Sequence, residues 1–163
     1  MSGNKTREEY VKKFAKYGIE ASVDEVFGTA YLASYYFTKN PPNGKLYVMG
    51  NSGIQGELAN VKGLEIVTEE TDYSLDKIDV DAWSSARLDE RVDAVLVGFD
   101  PHFNFTKVLK AASYIKQGAK FIVTNEDAEL PLRRDDLCVP GVGCIVAAVR
   151  KAVLPREPHQ VCG

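Results

Sequence analysis

An α/β fold is predicted, with an open sheet built from βαβ units and flanked by helices, and three observations carry that prediction. Two capped amphipathic helices open the chain. From residue 45 onward, short apolar runs of strand character alternate with helical periods. The segment from DAVLVGF (93–99) through NFTKVLKAASYIKQG (104–118) to KFIVTN (120–125) then reads as strand, helix, strand. That compass makes a βαβ unit with parallel strands.

Taken in order, Thr6 with Glu9 three residues on forms a capping box. Tyr10, Phe14 and Tyr17 follow at helical spacing, and Gly18 ends the run. Ser22 and Glu25 repeat the box ahead of Val26, Phe27, Ala30, Tyr31, Ala33 and Tyr36, which predicts a second helix over 23–38. Both helices have broad apolar faces and no sheet of their own to cover. Pro41-Pro42-Asn43-Gly44 is a turn and the most natural boundary in the chain. Beyond it, KLYVMG (45–50) reads as a buried strand, Ile54 to Val61 as a short helix, and LEIVT (64–68) as a strand. Residues 69–90 are acidic and weakly periodic, a loop with a short helix near Ser84 to Glu90. After the βαβ unit a last helix runs from about Gly143 to Val153 between Pro140 and Pro155, and a short strand at His159 to Cys162 closes the sequence.

The bulk numbers exclude several classes. With 163 residues and 45% hydrophobic content the chain buries a core. Its net charge is −3 and its 20 Lys and Arg are scattered, so nucleic acid is not an expected partner. No apolar run approaches the roughly 20 residues a membrane span needs, and MSGNKTREEY lacks a secretory h-region, which makes the expected location cytoplasmic. Cys138, Cys144 and Cys162 form no CxxC and have no His at ligand spacing. Reduced, buried or partly buried thiols are expected, with no metal site.

Ligands of open α/β sheets bind outside the carboxyl ends of the strands. Three loops fall there: GNSG (50–53), GFDPHF (98–103) and TNEDAELP (124–131). They offer Asn51 and Ser52, then Asp100 and His102, then Asn125 and Asp127. Turn chemistry accounts for the same residues, since Asp and Asn bond their own backbone. PGVGC (140–144) opens a helix and is read as a tight lead-in turn rather than an anion cradle. Asp79-Val80-Asp81 has the DxD spacing of phosphoryl-transfer nucleophiles, yet no buried strand precedes it, so it is read as loop or helix start.

Five ordered motifs, KTREEYVKKFAKYGI, DEVFGTAYLASYY, GFDPHF, TNEDAELPL and PGVGCIVAAV, together closely resemble the haloacid dehalogenase-like phosphatases of the 4-nitrophenylphosphatase branch, which includes phosphoglycolate and pyridoxal phosphatases. The resemblance implies residues 1–42 as two helices of an incomplete Rossmann-like core, 43–155 as a C2-type cap, and 156–163 as the start of the return strand to the core. It implies hydrolysis of small phosphate monoesters with Mg²⁺. The family's DxD nucleophile, acid/base, phosphate-binding Lys and metal ligands align with no residue between Met1 and Gly163. The chain is therefore expected to be truncated, inactive alone, and without catalytic or metal-binding residues of its own. By the same resemblance Phe99, Asp100 and His102, with Asn125, Asp127, Leu130 and Pro131, are the substrate-facing cap positions. Glu129-Leu130-Pro131 stands where pyridoxal-type enzymes have Trp-His-Pro, which favours a small polar ester. A homodimer through the cap, or pairing with a full-length relative, is the implied partnership. The alternative is a non-catalytic binding or dimerisation module.

Overall fold

The computed structural model describes residues 5–69, 80–84, 86–131 and 136–163. Its strands and helices bear out the α/β class. Strands β1 (Lys45–Met49), β2 (Ile66–Val67), β3 (Val92–Val97) and β4 (Lys120–Val123) form one parallel sheet with a late strand at Gln160–Val161, in the order β2, β1, β3, β4, late strand. Each central strand is apolar on both faces, as a covered parallel strand must be.

The two faces are read off alternate residues. Tyr47, Met49, Val95, Val97, Phe121 and Val123 point to one side, where helices α5 (Phe105–Lys116) and α6 (Val142–Val153) cover them. Leu46, Val48, Ala94, Leu96 and Ile122 point to the other, beneath α2 (Thr29–Lys39) and α3 (Ser52–Leu58). The result is a three-layer sandwich with two buried clusters.

Helix α1 (Arg7–Ala15) forms with the expected capping box, Thr6 taking the Glu9 amide and Glu9 taking the Thr6 amide. It is fastened to the layer by Arg7, whose backbone N–H donates to the buried Glu57 carboxylate at 2.6 Å. The Arg7 guanidinium lies 3.9 Å from the centre of the Tyr31 ring.

Several expectations are corrected. The second box forms, but it closes only a 3₁₀ turn, Val23–Glu25. Buried Val26 is extended, and α2 begins afresh after Gly28, so 23–38 is not one helix. Nor does α2 lack a sheet, because Ala30, Ala33 and Phe37 pack on it. The short helix expected near 84–90 is displaced to α4 (Val80–Ser84). A two-residue antiparallel pair, β5 (Glu129–Leu130) with β6 (Val139–Pro140), was not foreseen. The closing strand expected at His159 to Cys162 does form, as β7 (Gln160–Val161), and it is the fifth strand of this sheet, with the His159 and Cys162 amides donating to Phe121 O and Val123 O.

The thiols also differ from expectation: Cys138 and Cys144 are exposed and only Cys162 is half-buried. Burial pushes the Cys162 thiol up to about 11, and the Glu129 carboxylate beside Cys138 raises that thiol too. A raised thiol has less thiolate below its pKa, and thiolate is the reactive form. Alkylation with iodoacetamide at pH 8, followed by mass spectrometry, should label Cys144 first and Cys162 slower by about 100-fold. Equal rates for the three would contradict this placement.

Candidate functional site at the carboxyl edge of the sheet

The three expected loops do lie side by side. The Gly98 amide donates to Met49 O at 2.8 Å, the Asn51 amide to Phe99 O at 3.0 Å, and the Thr124 amide to Val97 O at 3.0 Å. Strand pairing thus carries one residue past β1, β3 and β4 and sets the loops in register at one edge.

The loop after β3 is built around Asp100, only 4% exposed. Its Oδ1 accepts the His102 amide at 2.9 Å, an Asx turn, and its Oδ2 accepts the Lys107 ammonium at 2.6 Å. Asn104 then caps α5 by accepting the Lys107 amide at 3.0 Å, and its Nδ2 donates to His102 O. Lys107 is itself 6% exposed and sits in the first turn of α5, where the helix dipole disfavours a cation. The carboxylate of Asp100 offsets that cost and is favoured at the same helix end. Phe99 is half-buried against the cluster beneath α5 and α6, while the His102 side chain is exposed.

The second loop is organised the same way. Thr124 and Asn125 are buried, the Thr124 hydroxyl donates to Asn125 Oδ1 at 2.8 Å, and Asn125 Nδ2 donates to Asp127 Oδ2 at 2.8 Å. Asp127 O accepts the Gly143 amide and Ala128 O the Gly141 amide, so this loop is tied to the start of α6. Leu130 is half-buried in β5 and Pro131 is exposed beyond it.

Of the seven expected residues, His102, Asp127 and Pro131 present exposed surface, whereas Asp100 spends its carboxylate on the His102 amide and on Lys107 of α5, and Asn125 its amide inside its own loop. Lys107 escaped the sequence reading. Its signal was present, since Lys107, Ala111 and Tyr114 fall at i, i+4 and i+7, which puts a lysine in an apolar stripe. Beside the loop, exposed Phe105 stacks on Trp83 with ring centres 4.4 Å apart, and Phe103 is 42% exposed.

Among the described residues no three His, Cys, Asp or Glu side chains converge as metal ligands. The carboxylate best placed at this edge, Asp100, is neutralised by Lys107. These described residues do not fit a Mg²⁺ centre. Asp79 of the DxD stretch lies outside the described residues, and Asp81 is exposed in α4 rather than at a strand end.

Residues 2–63 match the family model of the haloacid dehalogenase-like hydrolases. Glycerol-3-phosphate phosphatase of Mus musculus is 36% identical over 160 residues, covering 93% of this chain and 49% of that protein. Phosphoglycolate phosphatase 2 of Arabidopsis thaliana is 33% identical over 162 residues, covering 94% of this chain and 52% of that protein. The p-nitrophenyl phosphatase structure from Archaeoglobus fulgidus superposes with a TM-score of 0.76 at 26% identity, over 99% of this chain and 53% of that one. The chain spans about half the length of the curated relatives it matches.

Proposed function

We propose, from the premise that this chain belongs to the haloacid dehalogenase-like hydrolases, that it is the substrate-selecting part of a cytoplasmic, Mg²⁺-dependent phosphatase acting on small phosphate monoesters. In this reading residues 43–155 are the cap, and 1–42 contribute helices to the catalytic core. The loops 98–103 and 124–131 face the organic part of the ester, with His102, Asp127 and Pro131 outermost. Asp100 and Asn125 shape those loops from within. The nucleophile, the phosphate-binding Lys and the metal ligands are supplied by residues outside 1–163.

One observation supports this most: two loops, each rigidified by a buried polar side chain, are held in register at the carboxyl edge of a parallel sheet. Open α/β sheets bind ligands at that edge. The names of the relatives, glycerol-3-phosphate and phosphoglycolate phosphatases, point to three- and two-carbon phosphate esters as the substrate class.

Titrating the ¹⁵N-labelled chain with glycerol 3-phosphate or 2-phosphoglycolate should move the amides of 99–103 and 125–131 saturably. Shifts absent from both loops, or matched by inorganic sulfate at equal concentration, would count against substrate selection here.

A second reading, a non-catalytic module that pairs with a copy of itself or with a full-length relative, is favoured by exposed aromatic surface. Phe27, just ahead of α2, and Tyr35 on α2 are 59% and 50% exposed, and Tyr17 is 73% exposed.

A further inference from the structure

At the opposite, amino edge of the sheet lies a cavity of 360 Å³, walled by Tyr36 and Phe37 of α2, the 40–43 turn, the starts of β3 and β4, and Gln117 and Gly118 at the end of α5. Two opposite charges line it. Asp93 comes from β3 and Lys120 from β4, where Lys120 is in register with Ala94, the residue after Asp93. Neither side chain makes an ion pair or a side-chain hydrogen bond among the described residues, in contrast to Lys45, Lys107, Lys110 and Arg150, each of which has a carboxylate partner.

The surroundings sort the two charges. α2 and α5 both end at this edge, and the carbonyl ends of helices favour a cation in front of them. That bias adds to Asp93. The side chains of Asn43 and Gln117 add neutral hydrogen-bonding groups to the lining, and Tyr36 and Phe37 add apolar surface.

We propose that this cavity is a binding site for a small zwitterion of the α-amino-acid type, its ammonium on Asp93 and its carboxylate on Lys120. The volume falls in the range of small-molecule sites. Charge-assisted hydrogen bonds at both ends select a ligand with both charges over one that carries either alone. The site is separate from the carboxyl-edge loops, with the sheet between, so a ligand there would act on the proposed substrate-selecting loops only through the sheet.

The test is an amide-shift titration of the ¹⁵N-labelled full chain with L-glutamine, and with propylammonium and butyrate as its two halves. L-Glutamine should shift Asp93, Gly118 and Lys120 saturably, leave 99–103 and 125–131 in place, and bind more tightly than either half. Asp93→Asn and Lys120→Met should each weaken it about tenfold, the scale of one charge-assisted contact. These side chains have no partner to lose, and an unchanged unfolding midpoint in both variants shows that the fold is intact. No saturable shift at the amino edge, equal binding of one half-ligand, or variants that bind as well as the parent would each overturn the proposal. Since the phosphate-ester titration reads the other edge in the same spectra, failure of either one is told apart from failure of the other.

Discussion

Lys107→Met should destabilise the chain by about 3–5 kcal/mol, the cost of leaving a buried carboxylate without its partner. Lys107 and Asp100 meet at 2.6 Å and are both nearly inaccessible, so the Asp100 charge has no route to water once the ammonium is gone. The His102 amide alone remains on it, and the 98–104 loop should loosen with it. Pairing the change with Asp100→Asn removes the orphaned charge and should restore a large part of the loss. Urea unfolding of the two single variants and the double variant measures this as a coupling energy. Additive losses, within about 0.5 kcal/mol, would mean that the pair is not the organiser of the loop.

Gly141→Ala should cost about 1–3 kcal/mol, an overpacking penalty raised against backbone rather than a yielding side chain. A Cβ there would collide with Asp127 O and stand 2.9 Å from Asp127 C and 3.0 Å from Glu129 N. The Gly141 amide also donates to Ala128 O at 2.8 Å, so relief of the clash pulls the start of α6 away from the 125–129 loop. Thermal unfolding gives the magnitude. The Asn125 side-chain amide resonances, which report its bond to Asp127, should shift in the same variant. A variant as stable as the parent, with those resonances unmoved, would contradict the close packing of PGVGC on the loop.

Much of this architecture was legible because local signals and tertiary needs agree. Asn104 and Gly118 bracket α5 as cap and stop, and the structure uses both, Gly118 at φ +112°. The runs at 45–49, 92–97 and 120–123 are apolar on every residue that a covered strand buries. The failures come where a local motif has two continuations. The Ser22 box is the same whether its turn propagates or stops, and packing of Val26 decides that it stops. The β5–β6 pair is two residues long and exists because Gly141 and Gly143 meet Ala128 and Asp127 across the loop, which no period reveals. At the candidate site the loops were found by position, but the role of Asp100 was hidden because its partner lies seven residues along on another element. The Asp100 carboxylate faces the Lys107 ammonium.

The proposed division of labour, selection by these loops and chemistry by residues elsewhere, is tested most directly by phosphate release from 4-nitrophenyl phosphate by the purified 163-residue chain with and without Mg²⁺. No release above the uncatalysed background is expected in either condition, since electrostatic and metal stabilisation of the transferring phosphoryl group carry most of such a rate. Mg²⁺-dependent release that Asp79→Asn or Asp81→Asn abolishes would place a nucleophile inside this chain and contradict it.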